Sequence, residues 1–476
     1  MNAPLTQPTP DLLSRFSDIV GDRNAISDPE AMRPYLVEWR DRYFGKAALV
    51  LRPGSVEEVS AILRLASEAR VGIVPQGGNT GLVGGQIPYE HGNELVLSLA
   101  RLNRIRDVDP EGNTMVAEAG VTLGEARQAA DAVDRLFPLS LPSEGTCTIG
   151  GNLATNAGGV SVLAYGNTRD LTLGVEVVLA DGRLWNGLRR LRKDNTGYDL
   201  KDLFVGSEGT LGVITAAALK LLPKPKAVQT AFVGLDSPEA AIDLLNLALA
   251  HAGGQLVSFE LLPRIGIEFT LRHGAGARDP LQEPHAWYVL LELASGRPNA
   301  ALDVLIEALL GEALESGTAA DAALAQSLDQ RAAFWRLREL MTEVQRYEGG
   351  SIKHDVSVPV AKVPDFLRTA IDAVERLIPG SRPVPFGHVG DGNIHFNVSQ
   401  PVSGDKAAFL DRWEEVSEVV HGIVARYDGS ISAEHGIGRM KRHLLPSVKD
   451  PVELDLMSHI KSVMDPLGIL NPAKLL

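Results

Sequence analysis

The sequence predicts an α+β chain of two domains, and three observations carry that prediction. The chain has 476 residues, more than one ordinary hydrophobic core organises. From Ala47 onward, short apolar runs alternate with helical patterns in a glycine-rich stretch. At Pro223-Lys224-Pro225 the composition shifts to helix formers. The boundaries read from these signals are a first domain over residues 1–223, a cap domain over residues 224–430, and a C-terminal segment over residues 431–476.

Residues 47–52 form a short apolar run, and Pro53-Gly54 turns the chain. Ser55 with Glu58 makes a capping box, and Val56, Val59, Leu63 and Ala66 share one helical face. Gly72 is read as the end of that helix. Ile73 and Val74 start the next strand, completing a βαβ unit. Further strands are expected over residues 94–98, 115–118 and 173–180, the last closed by the hairpin signal Asp181-Gly182. In the cap, helices are expected over residues 238–252, 298–315 and 331–347. Strands are expected there over 287–293, 352–359 and 394–398. That mixture reads as a mostly antiparallel sheet covered by helices. One long helix over residues 406–426 leads to a glycine-rich loop and a short C-terminal helix.

Composition excludes several functions. Hydrophobic residues make up 45% and charged residues 22%, the profile of a soluble globular chain. Lys and Arg number 46 against 60 Asp and Glu, so the net charge is −14 and a nucleic-acid partner is not expected. Cys147 is the one cysteine, so no intramolecular disulfide forms. No apolar run is long enough for a membrane span. Residues 1–11 are Pro/Thr-rich and resemble neither a signal nor a transit peptide, so the cytoplasm is the expected location.

Three glycine-rich segments lie within the first domain. The densest, Pro75-Gln76-Gly77-Gly78-Asn79-Thr80-Gly81-Leu82-Val83-Gly84-Gly85, follows a βαβ strand. Glycines there let amide groups converge on an anion such as a pyrophosphate. Neither the G-x-G-x-x-G fingerprint nor a P-loop is present. Alone, this cluster is read equally well as a surface loop. The second segment, a small-residue loop, runs from Ile149 to Gly159, and the third from Gly206 to Thr215. Three such segments suit a long cofactor lying against backbone.

Together they resemble the FAD-binding domain of the vanillyl-alcohol oxidase/p-cresol methylhydroxylase superfamily, in order from about Ala47 to Pro223. The resemblance implies that Gln76, Gly77, Gly78, Asn79, Thr80 and Gly81 hold the FAD pyrophosphate, flanked by Pro75 and Leu82. It implies that Ser143, Gly150, Gly151, Asn156, Gly158 and Ile214 line the rest of the flavin site. The loop from Gln76 to Gly85 has no histidine, so non-covalent FAD is expected.

A second chemical signal lies in Phe386-Gly387-His388-Val389-Gly390-Asp391-Gly392-Asn393-Ile394-His395-Phe396-Asn397, followed by Glu434-His435-Gly436. Two imidazoles and a carboxylate form a common divalent-metal set that leaves positions open for substrate. A lone histidine in a turn would be a hydrogen-bonding residue; paired motifs make a site the stronger reading. His421 falls inside a helix and is read as structural.

These motifs resemble the D-2-hydroxy-acid dehydrogenase branch of the same superfamily, whose members oxidise D-2-hydroxyglutarate, D-lactate or glycolate. The match then spans roughly Ala47 to Leu476. It implies a divalent metal, zinc expected, on His388, His395 and Glu434, with His435 as general base. Asn397 matches a substrate-contacting position. Arg338 and Thr342, one turn apart on a helix, and Lys353 match the substrate positions of the hydroxyglutarate-oxidising members. Two cations suit a dicarboxylate better than lactate. Arg336 reads as a solvated surface charge. The closing segment resembles the family's return to the flavin, with Asn471 near the isoalloxazine; a proline-stopped helix end is the equal alternative.

The expected function is therefore FAD-dependent oxidation of a D-2-hydroxy acid, D-2-hydroxyglutarate first, to the 2-oxo acid by hydride transfer to flavin N5. D-lactate or glycolate oxidation is the alternative. A metal-dependent hydrolase and a non-catalytic flavin subunit are the readings of other classes. An electron-transfer flavoprotein, quinone or cytochrome is the expected acceptor, and a homodimer the expected assembly.

Overall fold

Helix Val56–Ala69 shows how local signals build the first half of the chain in the computed structural model, which describes residues 4–476. Ser55 Oγ accepts from the Glu58 amide at 3.3 Å, and the Glu58 carboxylate takes the Gly54 amide at 2.7 Å. The capping box is thus present but reaches one residue further back. Val59, Ile62, Leu63 and Ala66 are buried, and each large apolar side chain among them contributes roughly 1.5–3 kcal/mol. Arg70 closes the helix in the left-handed region (φ 57°), so Gly72 opens the next strand rather than ending the helix. Residues 1–3 of the Pro/Thr-rich tail lie outside the described residues. Thr9 already caps helix Pro10–Val20 by accepting from the Leu12 amide.

The chain divides into two units. The first takes in the chain to Gly158, then Gly166–Lys224 and Glu434–Leu476; the second is Gly159–Tyr165 with Pro225–Ala433. In the first, strands Val50–Leu51 and Gly72–Gln76 both lie parallel to Glu94–Ser98, which sits between them. The βαβ unit therefore spans a central strand whose residues are all buried. The C-terminal segment joins this sheet: the Ile73 amide donates to Ile469 O and the Asn471 amide to Ile73 O, both at 2.8 Å. A second sheet of five strands is antiparallel, in the order Ile105–Asp109, Thr114–Glu118, Val213–Lys220, Thr172–Val178, Leu184–Asn186. Its last hairpin turns at Asp181-Gly182, with Gly182 at φ 83°.

The second unit contains two antiparallel sheets. One runs Leu256–Pro263, Trp287–Ser295, Ala227–Leu235, Asp321–Leu324; the other runs Ser351–Ser357, Asn393–Ser399, Arg382–Phe386. Helices Pro238–Ala252, Leu302–Glu315 and Val363–Leu377 bury leucine and phenylalanine faces in a common core with both sheets. Leu328–Val344 is the helix expected over residues 331–347, begun three residues earlier because Ser327 caps it through the Gln330 amide. The single helix expected over residues 406–426 is two, Lys406–Leu410 and Trp413–Arg426. The first is capped by Asp405, and the Arg412 guanidinium bonds Glu415 and Leu377 O at the break. Their buried faces therefore need not follow one continuous helical stripe. His421 lies buried in the second, its ring centre 5.6 Å from that of His354 and edge to face with it. Among the described residues no helix is long and apolar enough to cross a membrane.

Candidate active site

The glycine loop in the first unit leaves strand Gly72–Gln76 with its side chains already engaged. Gln76 is buried and donates from Nε2 to Tyr35 O at 2.9 Å and Gln86 O at 3.0 Å. Asn79, at φ 55°, donates to Pro34 O and Val37 O. A Cβ on Gly78 would lie 1.9 Å from Thr146 O, and one on Gly77 would lie 2.4 Å from Thr148 Oγ1. These two glycines are thus required first for the loop to pack against the turn at Ser143–Thr148. Gly209 packs on Pro75, and the Gly81 carbonyl accepts from Gln86. Thr80 and Leu82 are half-buried.

The second glycine segment is not a loop. Residues Ile149–Thr155 form a helix because Thr148 caps it and Asn156 ends it in the left-handed region at φ 51°. Gly150 sits against Ala119, leaving no room for a Cβ, while Gly151 is half-buried. Asn156 Oδ1 accepts from the Arg169 amide, Ser143 O accepts from the Cys147 amide, Gly158 is buried, and Ile214 is core on strand Val213–Lys220. Three buried side-chain amide atoms of this unit, Asn79 Oδ1, Asn152 Nδ2 and Asn471 Oδ1, have no partner among the described residues. Burying such atoms unpaired is costly, and a polar cofactor such as FAD would satisfy them. The residues therefore fit the group.

The third segment carries a residue that the motifs did not single out. Glu208, at φ 52°, is buried, and its carboxylate accepts the Ile437 and Gly438 amides at 2.7 Å each. Its own carbonyl accepts from Asn471 Nδ2 at 2.8 Å, and its amide donates to Ala154 O. Burial pushes the Glu208 carboxyl up, against the pull of the two amides. It thereby clamps the turn that follows Glu434 and His435, where Gly436 and Gly438 have φ of 85° and 52°. Glu434 Oε1 and His435 Nε2 lie 3.9 Å apart, both partly exposed.

In the second unit the register of strands Ser351–Ser357 and Asn393–Ser399 pairs Lys353 with Asn397 and Asp355 with His395. Alternation puts these four side chains on one face of the sheet. His395 Nδ1 stands 3.7 Å from Asp355 Oδ1, and Asn393 Nδ2 donates to the same carboxylate oxygen at 3.0 Å. Asn397 Nδ2 donates to Gln345 Oε1 at 3.1 Å, and Lys353 Nζ approaches Thr342 O at 3.4 Å. The His388 and His395 rings are 5.5 Å apart, edge to face. Burial lifts the Asp391 carboxyl to about 6 despite the nearby His388. Asp355, absent from the sequence reading, is thus a further carboxylate beside His395. Imidazoles and carboxylates of this kind fit a divalent metal.

Glu260 was missed as well. It is fully buried in strand Leu256–Pro263, accepts from Arg338 Nε at 2.6 Å, and lies 2.5 Å from His388 Nδ1. Burial disfavours its charge, but His388 and Arg338 win and hold the carboxyl well below the usual carboxylate range. Arg338, expected as a substrate anchor, is 6% exposed, charge-paired, and stacked 4.8 Å over Phe386. A signal was available: the one acid in the middle of a mostly apolar strand has to be paired. Arg336 is exposed and bonds Ala275 O, in keeping with a surface role.

Comparison with known proteins gives two domain models in sequence order. The family model described as the C-terminal domain of FAD linked oxidases matches residues 224–475, and the FAD binding domain model matches residues 47–187. A relative in Arabidopsis thaliana, "D-2-hydroxyglutarate dehydrogenase, mitochondrial", is 37% identical across 98% of this chain and 81% of its own length. One of the same name in Bos taurus is 39% identical across 99% of this chain and 85% of its own. The solved structure of p-cresol methylhydroxylase with substrate bound superimposes with a TM-score of 0.79 at 16% identity, covering 99% of this chain and 97% of that one. The cytoplasmic expectation is overturned, because the plant and animal relatives are named as mitochondrial proteins. With both domain models matched in order and these relatives aligned over nearly its full length, this chain belongs to the FAD linked oxidases, and it shares the fold of p-cresol methylhydroxylase.

Proposed function

We propose that this protein oxidises D-2-hydroxyglutarate to the 2-oxo acid, with FAD bound non-covalently in the first unit. The observation that carries the reading is the conjunction of the FAD-linked oxidase match with relatives named D-2-hydroxyglutarate dehydrogenase over nearly the whole chain. FAD supplies the hydride acceptor when bound. The loop from Pro75 to Leu82, with Ser143, Gly150, Gly151, Asn156, Gly158, Ile214 and Asn471, is the proposed FAD-binding set. His388, His395 and Glu434 are the proposed ligands of a divalent metal, zinc first, which would supply Lewis acidity toward the substrate hydroxyl. His435 takes the hydroxyl proton as general base. Arg338, Lys353, Thr342 and Asn397 orient the acid, with the two cations favouring a second carboxylate. An electron-transfer flavoprotein, a quinone or a cytochrome then reoxidises the protein, which acts as a homodimer.

The test is anaerobic. Purified protein loaded with FAD is mixed in turn with D-2-hydroxyglutarate, D-lactate and glycolate while the visible flavin band is followed. Bleaching by D-2-hydroxyglutarate at the lowest concentration is expected. Bleaching by lactate or glycolate instead would move the substrate, and a flavin band untouched by all three would remove the activity. His435→Ala, carrying the same FAD, is expected to bleach at least 100-fold more slowly.

A further inference from the structure

A buried glutamate that belongs to none of the sequence motifs connects two side chains with different proposed tasks. Glu260 has no exposed surface. One carboxylate oxygen lies 2.5 Å from His388 Nδ1, and the other accepts from Arg338 Nε at 2.6 Å. Both partners are almost fully buried, and Phe386 lies against both Arg338 (4.8 Å to the guanidinium) and His395 (5.2 Å between rings). An ionised carboxylate only accepts, so the His388 nitrogen facing it carries the proton. That leaves Nε2 with the lone pair. Binding Arg338 through Nε likewise leaves the Nη1/Nη2 edge of the guanidinium, the edge that pairs with a carboxylate in two parallel hydrogen bonds.

We infer that Glu260 is a positioning residue that presents His388 Nε2 to a divalent metal and the forked end of Arg338 to a substrate carboxylate. The inference rests on the metal and substrate reading above and extends it. A carboxylate behind a metal-binding imidazole fixes its tautomer and raises its basicity, and losing it typically weakens metal binding 10–100-fold. Here the same carboxylate also holds the substrate cation, so one substitution disturbs both.

Glutamine at 260 makes the dependence testable because it cannot serve both partners. If its oxygen accepts from His388, its amide group meets the Arg338 N–H, donor against donor. If it flips, its amide donates to His388 Nδ1 and forces the proton onto Nε2. In FAD-loaded protein stripped of metal, zinc affinity is read by competition with a chromophoric chelator. Glu260→Gln is expected to bind zinc about 10–100-fold more weakly with the flavin band unchanged. Replacing Arg338 by Met in that background frees the glutamine oxygen for His388, which restores the tautomer though not the charge behind it, and zinc affinity is expected to recover about threefold or more over Glu260→Gln. Glu260→Gln that folds, holds FAD and binds zinc as tightly as wild type would overturn the role. So would a double variant, folded with FAD, that fails to recover. Wild-type protein that binds no zinc while still being bleached by the hydroxy acid would remove the metal and this role together, but leave the oxidation standing. Should Glu260→Gln not fold, Glu260→Leu combined with Arg338→Met, which strands no cation and gives His388 no acceptor, carries the test against Arg338→Met alone: zinc affinity is expected to fall about 10–100-fold, and equal affinity would overturn the role.

Discussion

Each unit holds a glycine turn bearing catalytic candidates against a buried glutamate, and the two glutamates are satisfied in opposite ways. In the first unit the Glu208 carboxylate is hydrogen-bonded by backbone amides, those of Ile437 and Gly438, with the Lys441 charge a lesser pull, and burial raises its carboxyl. In the second, Glu260 meets the Arg338 guanidinium and the His388 ring, and burial is overcome so that the carboxyl falls. Neutral dipoles share the cost of a buried charge; full charges cancel it. A turn held by dipoles tolerates loss of the charge, whereas a turn held by an ion pair does not.

The largest effect should come from breaking the charged clamp outright. Glu260→Ala strands a buried arginine and is expected to destabilise the second unit by about 3–5 kcal/mol, read in urea melts. A loss under 1 kcal/mol would mean that water or a rotated Arg338 replaces the carboxylate. Glu208→Gln should be milder, about 1–3 kcal/mol, since one oxygen still accepts an amide while the other position becomes a mismatched donor. Its pH dependence sharpens the contrast. A raised folded pKa means that wild type is favoured when Glu208 is protonated. It loses stability relative to the Gln variant as pH climbs from about 4.3, until the folded carboxyl has ionised. A gap between the two proteins that widens in wild type's favour as pH rises would show that the dipoles win and that Glu208 behaves like Glu260.

The smallest expected effect concerns a buried cation held by neither device. Lys474 is 1% exposed, its Nζ has no hydrogen-bonding partner among the described residues and stands 4.3 Å over the Tyr89 ring. Burial, ahead of the opposing pull of Glu94, brings its ammonium down to about 8. Since folding then favours the uncharged amine, Lys474→Met should be as stable as wild type or up to about 1 kcal/mol more stable at pH 7. That advantage should shrink as pH passes 8 toward the unfolded value near 10.4. A Met variant that melts lower and sheds FAD would give Lys474 a cofactor contact instead.

Much of this was legible in the sequence. The limits expected for helix Pro238–Ala252 and strand Glu94–Ser98 match the observed ones, because the Ser237 cap with Pro238 and the continuous apolar run of a fully buried strand act over a few residues. The paired motifs around His388 and Glu434 supplied the candidate site because glycines, acids and histidines so spaced seldom serve packing alone. Other features depended on distant parts of the chain. Gly77 and Gly78 read as an anion cradle, yet their missing Cβ atoms first admit the Thr148 hydroxyl and the Thr146 carbonyl, some 70 residues away. The segment from Ile149 read as a loop because small residues carry no periodicity, and its Thr148 and Asn156 caps make it a helix.

The sequence by itself determined the family, the α+β elements and the chemical groups available, since these follow from local pattern and motif. Tertiary structure alone decided which acids clamp them. Glu208 bonds amides about 230 positions later, Glu260 a histidine 128 positions later, and the register of Ser351–Ser357 with Asn393–Ser399 puts Asp355 beside His395. A buried carboxylate takes its protonation and its role from whichever partners folding brings to it, and nothing within a few residues of Glu208 or Glu260 names them.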